Sequence, residues 1–267
     1  MKTKFDINVY QIQKKDFRNA FHTNVLKYAL FPKDDAVTSS IINGWQYQKY
    51  MFDFLDMNQI DCAGRDIVDI GGNNGNFAVD FAHLVGDNGK VFSFEPQRLI
   101  YYQLCGNIFM NGLDNVYCYN VALGHEEGFT KIDKPNYHSK DNVNFGAAAI
   151  TQSETDFDLV VMKKLDNYEF NDIVFIKIDV QGFESYVIDG AIETIKKHRP
   201  YILVEFEDHL LKEYGSSNAD LKDKIESLGY IVKPFQEGIP YQSHSGWCLD
   251  YVCIPTEKFN EFTHLIP

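Results

Sequence analysis

From Arg65 onward the chain alternates short β-rich runs with amphipathic helical runs, and this alternation constrains the fold more than any other feature. Strand patterns separated by helical patterns call for parallel pairing, because a parallel neighbour is reached only through a crossover connection. The β-rich runs are "RDIVDI" (65–70), "KVFSFE" (90–95), "NVYCYNV" (115–121), "DIVFIKID" (172–179), "YILVEF" (201–206), "YIVKPF" (230–235) and "DYVCIP" (250–255). Helical runs fall at 76–85, 97–110, 183–198 and 219–228, the second stopped by Asn111 and Gly112. The last two strands are joined by about 15 residues without helical periodicity, so they are expected to pair antiparallel rather than through another crossover. The expected fold class is α/β, a mostly parallel seven-stranded sheet with an antiparallel final strand pair, flanked by helices.

At 267 residues the chain fits a single structural domain, since one core grows to about 250 to 300 residues before chains divide. Residues 1–64 are polar-aromatic, and "GWQYQKYMFDFLDMNQI" sets Tyr47, Met51, Phe54 and Leu55 at helical spacing. This segment is expected to be an N-terminal helical cap on a core of residues 65–267. Residues 122–171 exceed one crossover helix and contain the β-like run "DFDLVVMKKLD", so they read as an insertion with extended structure of its own. A net charge of -13 with no basic run opposes a phosphate backbone, and nucleic acid is not an expected partner. The 5 cysteines are scattered without metal-ligand spacing and read as small core residues in a reducing compartment; no metal site is expected. Without an apolar leader or a run of about 18 apolar residues, the chain reads as cytoplasmic with no membrane span. The oligomeric state is left open.

The chemistry concentrates at "DIVDIGGNNGNFAVDF" (66–81), where an apolar strand ends, turns through Gly71-Gly72-Asn73-Asn74-Gly75 and enters a helix. Glycine permits positive φ and close approach of a ligand to the backbone. The dinucleotide fingerprint needs glycine at positions 71, 73 and 76, which here read Gly, Asn, Asn, and no Lys-Ser or Lys-Thr follows as in a Walker loop. A ligand without pyrophosphate is indicated. Glu95 closes the second strand, where an acid accepts hydrogen bonds from the hydroxyls of a ribose, and Asp69 ends the first strand at the same sheet edge. A ribose, a positive centre and no phosphate together describe S-adenosylmethionine. Further along, "IVFIKIDVQGFESYVIDGAIETIKKHRPYILVEFE" ends a strand at Asp179, turns at Gly182 and sets Glu184 in the first helical turn. There a carboxylate serves either a site or the helix dipole.

The motifs "VDIGGNNGNFAVDFAHLVGDNGKVFSFEP", "NIFMNGLDNVYCYNVALGHEEG", "NFGAAAI", "KKLDNY" and "FIKIDVQGFESYVIDGA" occur in one order, and the chain over residues 45–207 resembles the FkbM-type class I S-adenosylmethionine-dependent methyltransferases. The resemblance implies a Rossmann-like class I methyltransferase fold and transfer of the donor methyl to a hydroxyl oxygen of a small molecule or glycan. That family usually carries Gly-Ala-Asn where this chain has Gly71-Gly72-Asn73, and a glutamate where it has Gln181. Asp69, Gly71, Asn73 and Gly75 are assigned to the donor's methionine part, Glu95 to its ribose, and the turn from Asn120 to Ala122 to its adenine. Asp179 is the first candidate for orienting the acceptor or taking its proton, followed by Glu184 and His138. Trp45 and Tyr47 are candidates for an aromatic wall over the acceptor, and packing is the competing role for these and for Trp247. Two rival readings stand beside this one: a methyltransferase acting on RNA or protein, and a donor-binding module without catalysis.

Overall fold

The computed structural model describes residues 7–15, 23–31, 36–44, 47–137, 144–234 and 250–261. Trp45, His138 and Trp247 lie outside the described residues. The chain opens with an antiparallel hairpin, β1 (Asn8–Lys15) and β2 (Thr23–Leu30), followed by helices α1 (Ala36–Ile42) and α2 (Lys49–Met57). Then come β3 (Asp66–Ile70), α3 (Asn76–Val85), β4 (Lys90–Phe94), α4 (Arg98–Met110) and β5 (Val116–Tyr119). The insertion holds β6 (Ala122–Leu123), β7 (Gly128–Asp133) and β8 (Phe157–Lys163), paired as a small separate sheet. The remaining elements are β9 (Ile173–Ile178), α5 (Glu184–Asp189), α6 (Ile192–His198), β10 (Tyr201–Glu205), α7 (Asp208–Glu213), α8 (Asn218–Ser227), β11 (Tyr230–Pro234) and β12 (Asp250–Pro255).

The main sheet has seven strands in the order β11-β12-β10-β9-β3-β4-β5. All neighbouring pairs are parallel except those made by β12, which runs antiparallel to both β10 and β11. Strands β3, β9 and β10 are buried at every position, as expected of a sheet covered on both faces. Alternate residues feed two cores. Ile67, Val91, Phe175 and Leu203 pack with α2, α3, α4 and the N-terminal hairpin, whereas Val68, Phe92, Ile176 and Val204 pack with α5, α6 and α8. Strand order reverses between β3 and β9, so their carboxyl ends open the crevice where ligands of such sheets bind.

Two expectations about local structure are corrected. The N-terminal segment is not purely helical: it contributes a hairpin, whose inward residues Ile12, Lys14, Leu26, Tyr28 and Leu30 obey a period of two. A lysine among them obscures the pattern, and its partner explains it, because Lys14 Nζ lies 2.6 Å from Asp80 on α3 with both side chains buried. The free edge of β2 is met by α4 and the residue that follows it: Asn111 accepts with its side chain from Lys27 N at 2.9 Å, and Asn107 of α4 accepts from Ala29 N at 2.7 Å. The helix expected at 183–198 is two helices. Gly190 interrupts it, pressed so closely on Gly124 that a Cβ would stand 1.9 Å from the Gly124 carbonyl oxygen. Asp166 then caps the second piece by accepting from the N–H groups of Glu193 and Thr194 at 3.1 and 2.8 Å. Among the described residues no helix is long and apolar enough to cross a membrane.

Candidate active site

The Gly71–Gly75 turn leaves the carboxyl end of β3 in a left-handed backbone: φ is +82° at Gly71, +45° at Asn73 and +84° at Gly75. A Cβ on Gly71 would stand 1.9 Å from the Asp179 carbonyl oxygen, so the loop and the end of β9 are in backbone contact. Its amides are consumed within the protein. Gly71 N and Gly72 N donate to Phe94 O at 3.0 and 2.9 Å, Asn73 N to Glu95 Oε2 at 2.9 Å, and Asn74 N to the Asn73 side chain at 2.7 Å. Gly75 N donates to Gly72 O at 2.9 Å and Asn76 N to the Asn74 side chain at 3.1 Å. A loop whose N–H groups are all spoken for is no anion nest, which gives a structural reason for the missing dinucleotide fingerprint.

Between this loop and the insertion lies a cleft with ≈ 630 Å³ of free space, open solvent included. Gly71 and Asn73 form one wall, Glu95, Pro96 and Gln97 the next, and Val121 to Leu123 the floor of the third. Ile132, Gly146, Ala148 and Ile150 of the insertion close the far side, and Asp179, Val180 and Gln181 complete the circuit. No lysine, arginine or histidine lines it among the described residues. Gln97 fastens the insertion across the opening: its Nε2 donates to Phe145 O at 2.7 Å, and its Oε1 accepts from Tyr137 Oη at 3.2 Å. Adjacency to the Glu95-Pro96 corner was the only signal in the sequence pointing to Gln97.

Glu95 is 4% exposed, accepting from Asn73 N with one oxygen and from Gln97 N at 2.8 Å with the other. Burial pushes its pKa up to about 7, against the pull of those two N–H groups. Asp69 lies beneath the loop rather than on the cleft wall, fully buried, accepting from Ser93 Oγ at 2.9 Å and facing Lys177 Nζ at 3.8 Å. Burial raises it to about 6, with Lys177 and Ser93 opposing. Lys177 stands between Asp69 and Asp179, 3.5 Å from the latter and 5.1 Å above the Phe77 ring. Burial works to neutralise its ammonium, but Asp179, Asp69 and Glu205 outweigh it and hold the pKa above the ordinary lysine value. Asp179 itself lines the cleft with its side chain 30% exposed, and the Gln181 amide donates to it at 3.2 Å and to Glu205 at 3.4 Å.

Of the residues singled out in the sequence, Gly71, Asn73, Glu95, Ala122 and Asp179 meet on the cleft. Gly75 is set back against Leu104, at the start of α3. Asn120 does not line the cleft, and its amide instead braces the strand end by donating to the carbonyls of Glu95 and Pro96 at 2.8 and 3.0 Å. Glu184 is turned away from the cleft wall and 1% exposed; its Oε1 accepts from Val180 N and Gly182 N, both at 3.1 Å, tying the turn after β9. Burial raises it to about 7. Tyr47 packs on Phe77 with ring centroids 6.0 Å apart, and it does not line the cleft.

The Methyltransferase FkbM domain model matches residues 69–232. Among solved structures, the chain is similar to the methyltransferase FkbM from Methylobacillus flagellatus, at 17% identity over 72% of this chain and 44% of that one, with a TM-score of 0.48. It is also similar to an SAM-dependent O-methyltransferase from Thermotoga maritima, at 13% identity over 86% and 74% of the two chains and a TM-score of 0.48. In sequence it is 29% identical over 101 residues to the 23S rRNA (uracil(1939)-C(5))-methyltransferase of Psychrobacter arcticus, a match covering 38% of this chain and 19% of that protein.

Proposed function

The chain belongs to the FkbM methyltransferase family, and from that premise we propose that it transfers a methyl group from S-adenosylmethionine to a hydroxyl oxygen of a small molecule or carbohydrate. The supporting observation is the polarity of the cleft. Its loop amides are engaged inside the protein, its acidic lining groups are Glu95 and Asp179, and no described lining residue is cationic. Such a cleft fits a ligand carrying positive charge and hydroxyl donors and repels one carrying phosphates. When bound, the donor supplies an electrophilic methyl group on a sulfonium centre.

Glu95 holds the ribose with the accepting capacity its two backbone bonds leave over, since each carboxylate oxygen accepts more than one hydrogen bond. Gly71 and Asn73 seat the methionine part, and Ala122 lies against the adenine. Asp179, steadied by Lys177 and Gln181, orients the acceptor hydroxyl or takes its proton. Orientation contributes most to such a displacement, about 7 to 11 kcal/mol when reactants are well aligned. Proton removal adds about 10²- to 10⁴-fold.

Calorimetry with S-adenosylmethionine and S-adenosylhomocysteine tests the first half: saturable binding is expected, and a well-folded protein that binds neither at millimolar concentration refutes the reading. Labelled donor with hydroxylated small molecules and glycans tests the second half. Asp179→Asn is expected to keep donor binding within a few-fold while lowering turnover by about 10²-fold or more. The partial likeness to an rRNA methyltransferase makes RNA the competing acceptor; label appearing in RNA but in no small molecule would transfer the activity to that class. The net charge of -13 opposes it.

A further inference from the structure

Asparagine is a poor helix former, yet α4 carries Asn107 fully buried in its last turn, and Asn111 follows its end directly. Residues four apart on a helix face the same way, and this side is turned to β2. Asn111 braces the strand: its side chain accepts from Lys27 N at 2.9 Å and donates to Lys27 O at 2.7 Å. Asn107 divides its amide between two elements. Its Oδ1 accepts from Ala29 N at 2.7 Å, and its Nδ2 donates to Asn74 O at 2.7 Å. Ala29 offers a proton and Asn74 a lone pair, so only this setting of the amide satisfies both.

Asn74 belongs to the glycine loop and is 0% exposed. Its carbonyl stands ahead of the helical acceptors of α3, since Val79 N bonds Gly75 O at 3.0 Å, and Asn107 supplies its partner. From there the loop continues onto the cleft wall: Asn74 N donates to the Asn73 side chain at 2.7 Å, and Asn73 N to Glu95 Oε2 at 2.9 Å. No described residue of the hairpin lines the cleft, so the hairpin reaches the donor site through other residues. One route is Asn107. The other is aromatic: Phe31, just past β2, packs on Phe145 and Tyr137 with ring centroids 4.8 and 5.5 Å apart.

We propose that Asn107 is a positioning residue of the donor site, one buried amide that makes the seating of the N-terminal hairpin and the binding of the donor depend on each other; the inference rests on the donor reading of the cleft. With the hairpin seated, Ala29 N fixes the Asn107 amide, and that amide fixes the Asn74 carbonyl and with it the backbone that presents Asn73 to Glu95. With the hairpin lifted, Asn107 Oδ1 loses its partner and the amide is free to turn. A donor that binds the fixed loop better than the loosened one holds the hairpin down, and by linkage the hairpin tightens the donor by the same factor.

Calorimetry and hydrogen exchange with S-adenosylhomocysteine test this on the full chain, with no acceptor needed. Saturating ligand is expected to slow amide exchange in peptides spanning β2 and Phe31 by about fivefold or more, the lower end of typical couplings. Asn107→Leu leaves Ala29 N and Asn74 O without their buried partner. It should weaken ligand binding by about the same factor and abolish the response of the hairpin, while peptides of the glycine loop are still slowed. Phe31→Leu, which cuts the aromatic route, should keep the response. Exchange in the hairpin that ignores the ligand in the parent chain, or answers it undiminished in Asn107→Leu, overturns the proposal, and so does loss of the response in Phe31→Leu. The parent chain and Phe31→Leu decide the matter even if Asn107→Leu does not fold. A parent chain that binds no S-adenosylhomocysteine in calorimetry refutes the donor reading itself, an outcome distinct from binding without a response in the hairpin.

Discussion

At the loop end of the cleft, the amides of Gly71 to Asn76 and the Glu95 carboxylate find their partners within the loop itself or on the next strand. Beside and beneath that loop, at the end of β9, Asp69, Lys177, Asp179, Gln181 and Glu205 meet only because β3, β9 and β10 lie side by side. One end is made by short-range backbone geometry and glycine. The other is a long-range charge assembly in which a single buried ammonium answers several carboxyls. The difference teaches where each end is fragile: steric insult breaks the first, and loss of charge balance breaks the second.

The largest effect is expected from Lys177→Met. Removing one member of a buried charged group leaves the others uncompensated and costs about 3 to 5 kcal/mol. Asp69 and Asp179 lose their shared ammonium, and Asp69, already raised to about 6, should take up a proton at still higher pH. Chemical denaturation at pH 5 and pH 8 checks this, since the deficit should be greater at pH 8, where Asp69 must carry its charge unpaired. An equal deficit at both values would make Lys177 a packing residue. Gly71→Ala attacks the other end. Positive φ and a Cβ placed 1.9 Å from the Asp179 carbonyl oxygen together cost about 2 to 5 kcal/mol. Unlike Lys177→Met, its deficit should not vary with pH.

The same contrast governs what the sequence reveals. The strands and their order of appearance are legible because both faces of the sheet are buried, leaving uninterrupted apolar runs such as "DIVFIKID". The loop end is legible too, since Gly71, Asn73 and Glu95 carry their signal in local spacing. Gln181 and Glu205 are not, because their meeting depends on which strand neighbours which, and a pattern read along the chain has no term for that. Glu184 shows the reverse case: a carboxylate in the first turn after a strand end looks like a site residue, while its oxygen closes the turn after β9. The hairpin eluded the same reading because Lys14 breaks the apolar alternation and is explained only by Asp80 on a different element.

The smallest expected effect joins the two ends through pH. Asp69 is raised to about 6, and Glu95, Glu184 and Asp250 to about 7, each by burial first. In the unfolded chain these groups titrate at about 3.9 to 4.3. The fold therefore binds more protons than the unfolded chain between about pH 4 and 7, so stability is fully present below the unfolded values and falls as pH rises through the folded ones. Glu257, held down to about 2 by its hydrogen bond from Arg199, acts at the other end of the scale, losing its contribution as pH drops below about 4. His198, whose pKa burial lowers, opposes the trend near neutrality as a single half-exposed group. The thermal midpoint should accordingly peak near pH 4 and decline as pH rises toward 7, levelling off above it. Glu95→Gln removes one of the four groups while keeping an accepting oxygen for Asn73 or Gln97. Its midpoint should decline less steeply between pH 5 and 8 than that of the parent. A slope unchanged by Glu95→Gln would mean that Glu95 is ionised throughout, and the loop end would then carry a standing negative charge as the β9 end does.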